Sequence, residues 1–282
     1  MRCKLDSIRV LVVGIARNVG LTLESDINII SESLGGFGSV KWLVVESDSE
    51  DSTLIVLERL GREKQGFRYL SLGCVRNSIP TRAARLAYCR NAYLIELVEN
   101  QLYRNIDYVI VADLDQLNRK LTSKSIESCW DREEWDVCCA NQEGPYYDIW
   151  ALRHPIWCPN DWRDEQSFFM KFYHNQHLVD RSTLHYRMIR IPVDSNWIEV
   201  DSAFGGLAIY KKEALINARY SGCDENGNER CEHVSLHRKL RKLGNRIYIN
   251  PKLINAGHTE HTSIGRWYRR LSKVVRKFRR YI

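Results

Sequence analysis

No run of this sequence comes near the ~18 consecutive apolar residues a membrane-spanning helix needs, so no span is expected. The nine cysteines contain no Cys-x-x-Cys pair, which removes the usual framework of a cysteine zinc site. Buried, reduced thiols of a cytosolic protein are the expectation. His233 and His237 stand at i and i+4, but the His-Glu-x-x-His pattern is missing, so a zinc hydrolase is not indicated. Internal repeats and low-complexity linkers are absent too. A signal peptide is not expected either. The early apolar run IRVLVVGIA leads straight into Arg17-Asn18 with no small-residue cleavage site, and reads as a buried strand of an intracellular protein.

Excess charge is missing from most of the chain. The net charge is +7, from 42 Lys and Arg against 35 Asp and Glu. Eight of the 42 (Arg266, Arg269, Arg270, Lys273, Arg276, Lys277, Arg279 and Arg280) lie beyond Glu260, the last acid. The other 34 are balanced by the 35 acids. A polyanion-binding body is therefore excluded, and no nucleic-acid partner is expected.

What remains is an ordinary globular composition, 44% hydrophobic and 27% charged over 282 residues, enough for a well-buried core. Strand-like runs (IRVLVVGIA, KWLVVES, FRYLSLG, DYVIVADLD, WDVCCANQ) alternate with helical spacings. Val19, Leu23, Ile27, Ile30 and Leu34 form the first such spacing, stopped by Gly35-Gly36. Leu54, Leu57 and Leu60 form the second, with Ser52 or Thr53 as cap. A long helix follows Pro80, its apolar positions read as Ala84, Ala87, Leu94, Ile95, Val98 and Leu102. Such alternation implies a mostly parallel sheet with helices on both faces. Beyond about residue 140 the pattern loosens. VDSAFGGLAIYKKEAL then reads as strand and helix, CEHVSLHRKLRKLG as helix, and RIYINPKLINAGH as a last strand and loop.

The fourth strand ends in Asp113-Leu114-Asp115. Ligands of parallel αβ sheets bind beyond the carboxyl ends of the strands. Two carboxylates at i and i+2 in that place suit a hard divalent cation, with phosphate oxygens and water completing its shell. The alternative is a turn carrying two solvated aspartates.

This arrangement resembles the nucleotide-sugar-dependent glycosyltransferases of the GT-A fold, a Rossmann-like α/β class. In that family an Asp-x-Asp motif holds Mn2+ or Mg2+ against the donor diphosphate. VVESDSEDST is similar to the second-strand acidic loop of those enzymes and makes Glu46 and Asp48 candidates for the nucleotide. GIARN places Arg17 where the first strand end would meet it. RLAYCRNAYL resembles the helix with an Arg-Asn pair. More narrowly, GIARN, VESDS, RLAYCRN, ADLD, YYDIWALR and SAFGGLAIY, in that order over roughly residues 8 to 260, resemble the fungal capsule-associated α-mannosyltransferases and their bacterial relatives. The resemblance implies a hexosyltransferase that uses a nucleoside diphosphate sugar, acting on a cell-surface glycan or lipid-linked acceptor.

Further residues carry paired readings. Arg82, Arg85 and Arg90 suit phosphate, or a solvated helix face. Gly205 and Gly206 in a strand-like run suit close approach to a ligand, or a bulge. The resemblance implies that their segment lines a sugar pocket, with Asp201 touching hydroxyls. Glu232 at a helix start suits a general base for an inverting transfer, or first-turn dipole stabilisation. In a retaining enzyme, as the mannosyltransferase resemblance implies, Glu232 would orient the acceptor. Asp148 lies in a ring-rich stretch of the kind that stacks on sugars. The resemblance makes His258 a candidate third metal ligand.

The expected organisation is a GT-A domain over residues 1–263 and a basic amphipathic helix over 264–282. In that tail Trp267, Leu271, Val274, Val275, Phe278 and Ile282 form an apolar stripe among the eight cations, which suits an anionic membrane surface on its cytoplasmic side. Two rival readings are a sugar nucleotidyltransferase and a non-catalytic carbohydrate- or membrane-binding module. The first is disfavoured because GIARNVGLTLE is not the glycine-rich phosphate loop it would need.

Overall fold

The computed structural model describes residues 5–258. Eight strands form one mixed sheet: β1 (Arg9–Ala16), β2 (Ser39–Glu46), β3 (Phe67–Ser71), β4 (Tyr108–Ala112), β5 (Val137–Gln142), β6 (Ile198–Val200), β7 (Leu207–Lys211) and β8 (Ile247–Ala256). Their spatial order is β3-β2-β1-β4-β7-β5-β8-β6. Pairings β2/β3, β1/β2, β1/β4 and β5/β8 are parallel. β7 runs antiparallel between β4 and β5, and β6 antiparallel along β8. The sheet is thus mostly parallel and flanked by helices, the α/β architecture that the GT-A resemblance implies.

The helices are α1 (Leu23–Ser33), α2 (Thr53–Glu63), α3 (Arg82–Glu99), α4 (Ser123–Glu127), α5 (Trp162–Phe169), α6 (Gln176–Thr183), α7 (Lys212–Ile216) and α8 (Glu232–Lys242). Successive strand residues point to opposite faces, and the core divides accordingly. Leu11 and Val13 join Leu94 and Leu97 of α3 and Leu236 and Leu240 of α8. Val10 and Val12 join Ile27 and Ile30 of α1 and Leu57 of α2.

Helix α3 departs from the sequence expectation. Ile95, Val98 and Leu102 are exposed. Its buried stripe runs Ala83, Ala87, Arg90, Leu94, Leu97, at spacings of four, three, four and three. An arginine at the centre of that stripe hid it from a count of apolar positions. Neither Ser52 nor Thr53 caps α2 through its side chain. Thr53 instead accepts the Val19 amide at 2.8 Å and so ties α2 to the loop after β1. The eight cysteines of the described residues are free thiols, six of them buried. The boundary expected at residue 263 and the helix expected over 264–282 lie outside the described residues.

Candidate active site

The carboxyl ends of β1, β2 and β4 open into a cleft of about 580 Å3. The end of β4 is held tightly. The Asp113 amide donates to the Gly206 carbonyl at 2.9 Å. The Asn118 side chain donates to the Asp113 carbonyl at 2.7 Å and to that of Gly206 at 3.3 Å. Leu114, 2% exposed, is the inward anchor of the tripeptide. It packs where a side chain on Gly14 would stand, since a Cβ there would come within 2.8 Å of Leu114 and of the Ala112 carbonyl. With Leu114 pinned, Asp113 and Asp115 both line the cleft.

Asn18, Asp48 and Gln116 are the non-glycine residues with positive φ among those described, at 53°, 60° and 71°. They follow β1, β2 and β4 closely. Backbone strain of this kind gathers at functional sites.

The electrostatics of the cleft centre on Arg90, which is 3% exposed. Its Nε donates to Glu232 at 3.0 Å and its Nη2 to Asp113 at 3.2 Å. Its guanidinium lies 5.4 Å from the Phe204 ring centroid and 5.8 Å from that of Tyr220. Nη1 has no partner. One buried cation thus serves a site whose lining carries Asp113, Asp115, Asp148 and Glu232. Burial pushes the Asp113 carboxyl up to about 7; Arg90 opposes the rise, while Asp115, Asp148 and Glu232 add to it.

The charges that act on Asp113 are three carboxylates against one cation, Arg90, while Arg17, Arg82, Arg85 and Arg163 balance the cleft as a whole; oxygen donors clustered in this way are the chemistry of a hard divalent cation. Among the described residues no cluster of three His, Cys, Asp or Glu could hold a metal unaided. The donor set therefore fits a cation whose shell is completed by substrate and water.

The sequence candidates divide. Arg17, Asp48, Arg82, Arg90, Asp113, Asp115, Asp148 and Glu232 all line the cleft. Asp148 also accepts the Gly205 amide at 2.9 Å. Glu46, His258 and Asp201 are not among the lining residues. Glu46 is buried at the end of β2, accepting from Ser71 Oγ at 2.6 Å and the Ser49 amide at 3.0 Å. It shapes the acidic loop from behind. His258 sits against Gly144 and is exposed. Asp201 is exposed and lies 3.4 Å from Arg241 Nε on α8. Gly205 and Gly206 sit at φ 70° and 86°. A Cβ on them would press within 2.8 Å of Gln142 and 2.9 Å of the Tyr147 hydroxyl. Their close approach is to protein, and it supports Asp113 from below.

His237 is buried between the Ser202 hydroxyl (2.9 Å) and the Tyr210 hydroxyl (2.8 Å), and burial lowers its pKa to about 3. His233 stacks on Phe204 at 3.8 Å and is likewise held neutral by burial, with Arg90 and His237 adding to the effect.

Sequence reasoning singled out the ring-rich stretch that holds Trp150 but missed the rest of that wall of the cleft: Trp162, Arg163, Leu184 and Met188. Arg163 lies over the Trp150 ring at 3.9 Å. The signals were there. Asp161 caps α5 by accepting the Arg163 amide, with Asp164 and Glu165 in the first turn. Asn175 caps α6 by accepting from Leu178. Both are ordinary helix starts.

The sequence matches no protein-family model and no curated protein. Similar solved structures exist. A mannosyltransferase from Pyrobaculum calidifontis, in complex with GDP-Man and Mn2+, is 15% identical with a TM-score of 0.49, over 89% of this chain and 56% of its own. S. aureus TarS 1-349 is 13% identical with a TM-score of 0.48, over 89% of this chain and 60% of its own. Glucosyl-3-phosphoglycerate synthase from Mycobacterium tuberculosis, in complex with UDP, is 15% identical with a TM-score of 0.42, over 89% and 69%. The chain therefore spans less than two thirds of the length of the first two. Likeness of this degree leaves the activity to the chemistry of the cleft.

Proposed function

We propose that this chain is a metal-dependent glycosyltransferase of the GT-A type. It moves a hexose-type sugar, mannose among the candidates, from a nucleoside diphosphate donor to a hydroxyl of a cell-surface or lipid-linked glycan. One observation carries the reading. Asp113 and Asp115 share a cleft with Asp148 and Glu232 around a single buried arginine, a local gathering of carboxylates that a divalent cation would resolve, with the cleft's other arginines left to meet the diphosphate.

Asp113 and Asp115 would hold Mn2+ or Mg2+, which offsets diphosphate charge and helps that group leave. Arg17 and Arg82, exposed at the cleft, supply cations for the phosphates, and Asp48 lies beside them for the nucleoside. Arg90 fixes Glu232 and Asp113 relative to one another, because both bonds leave one rigid guanidinium. Glu232 accepts a hydrogen bond from the acceptor hydroxyl and so sets the direction of its lone pairs. Trp150 and Trp162 offer ring faces to sugar C–H surfaces, and with Leu184 and Met188 they keep bulk water from the transferring centre. Residues 264–282 hold the enzyme to an anionic membrane on its cytoplasmic side, where a lipid-linked acceptor is met.

A thermal-shift panel of UDP-, GDP-, CMP- and dTDP-sugars, with and without Mn2+, tests the reading. Stabilisation by one nucleotide class only when metal is present is the expected result. No response to any donor would overturn it. Turnover that releases pyrophosphate from a nucleoside triphosphate would favour a nucleotidyltransferase instead.

A further inference from the structure

Helix α5 buries none of its residues. Its last turn and the following residues carry Phe168, Phe169 and Phe172, with ring centroids 5.5 and 5.3 Å apart. These rings are 54%, 38% and 64% exposed. Tyr173, Leu178 and Tyr186 continue the exposed set through α6 and beyond. Scattered apolar residues on a surface are ordinary, but a contiguous ring cluster marks a place where something binds.

The charges of this α5–α6 excursion, residues 161–190, are lopsided. Two of its acids are paired with cations, Asp164 with Arg230 and Glu165 with Arg187; Asp180 accepts from the neutral Gln166 and Gln176 side chains and offsets one cation only. Lys171, Arg181 and Arg190 have no acidic partner among the described residues. His258 packs on Gly144, and the neighbouring Pro145 pairs with Arg190 of the excursion. His258, the last described residue, therefore lies on the same side of the protein as this stretch.

We propose that the α5–α6 excursion is a docking face for an anionic lipid bilayer. Exposed rings beside unpaired cations are what an interfacial membrane site presents. A second copy of this chain is a poorer occupant, because a two-fold contact would set these cations against their own images. The tail is a poorer occupant for the same reason.

Trp162, Leu184 and Met188 of this excursion also line the cleft. Docking here sets the cleft mouth at headgroup level, where an acceptor built on a lipid carrier would offer its hydroxyl. That last step rests on the transferase reading; the docking face does not.

The test is co-sedimentation of the full chain with phosphatidylcholine vesicles, with and without phosphatidylglycerol. The unmodified protein should partition onto the phosphatidylglycerol vesicles. Phe168→Ser/Phe172→Ser should weaken that partition about tenfold, the rings being lost from the interface. Lys171→Glu/Arg181→Glu should weaken it at least about tenfold at low salt, with little change on neutral vesicles. Hydrogen exchange of the unmodified protein on vesicles gives a reading that needs no variant, namely new protection across residues 168–190.

The proposal is overturned if the unmodified protein stays in solution, if both variants partition as it does, or if exchange protection is absent from 168–190. It is equally overturned if Phe168→Ser/Phe172→Ser converts a dimer to a monomer, which would make a second copy the occupant. Donor hydrolysis in vesicle-free solution, expected to be the same in the variants, separates the two readings. Its absence from the unmodified protein sinks the transferase and leaves the docking result standing.

Discussion

Replacing Asp113 by asparagine should stabilise the metal-free protein at pH 8 while abolishing transfer. The carboxyl ordinarily titrates at about 3.9, whereas burial among like charges raises it here to about 7. Each tenfold in proton affinity is worth about 1.4 kcal/mol. The fully ionised folded state therefore carries a penalty on the order of 4 kcal/mol.

The sign follows from proton counts. Between pH ~4 and ~7 the folded protein keeps a proton that the unfolded chain has released, so stability falls as pH rises through that window. Above about 7 both states are ionised and the penalty is complete; below about 4 both are protonated and it vanishes. Asparagine keeps an oxygen to accept from Arg90 Nη2 and carries no charge. Urea unfolding in EDTA should show the variant ahead by several kcal/mol at pH 8, the gap closing toward pH 4. Comparing variant with unmodified protein at each pH cancels the other titrating groups, the buried histidines included. Adding Mn2+ should narrow that gap, because only the unmodified protein gains from binding, by about 2.7 kcal/mol at a hundredfold excess over Kd and about 4.1 kcal/mol, enough to close it, at a thousandfold excess. A gap independent of pH, or a variant less stable at pH 8, would refute the electrostatic account of the cleft.

His237, held neutral at about 3, acts in the opposite sense. The unfolded chain takes up a proton below pH ~6.5 that the folded protein refuses, so stability is lost as pH falls from about 6.5 toward 3, and His237→Gln should flatten that slope in acid unfolding. Removing the guanidinium in Arg90→Met leaves the buried Glu232 and the partly buried Asp113 without their partner and should cost about 3–5 kcal/mol in denaturant melts. Gly206→Ala adds a Cβ within 2.9 Å of Tyr147 at a positive φ. It should cost about 1–3 kcal/mol and weaken Mn2+ binding by calorimetry, since the Gly206 carbonyl holds the Asp113 amide. Glu232→Gln tests the glutamate's role. A loss in kcat of about 10²–10⁴ marks a general base; a change confined to the acceptor KM marks an orienting group.

The first half of the fold was legible because each strand there is a short apolar run followed by a helical period. Its strand ends could therefore be placed to within about three residues, and Asp113 and Asp115 just beyond the fourth. Asp148 and Glu232 could be named, but the distance between them and Asp113 could not, since it depends on β7 inserting antiparallel between β4 and β5. Glu46 misled because the last residue of a strand can turn toward the cleft or away from it, and Ser49 and Ser71 draw it away. Asp201 misled because the glycines after it pack on protein. Arg90 was named only as one of three phosphate candidates. Nothing in RLAYCRN says which arginine lies inside, because a buried arginine looks like a solvated one until both its acids are brought from elsewhere. The wall formed by the start of α5 and the residues after α6 carried readable helix caps at Asp161 and Asn175, but its rings blur the helical period that should follow them.

The antiparallel insertion of β7 also bears on how the chain is made. On the ribosome, β1 to β4 emerge first and could assemble as soon as Ala112 is clear. The open flank of β4 then waits for Leu207–Lys211, with β5, α5 and α6 translated in between. During that interval a nascent chain presents an unpaired strand edge, a template for mispairing with its neighbours on a polysome. Slow decoding or a chaperone gap before Leu207 would lower the yield of soluble protein more than the same delay placed after Lys211.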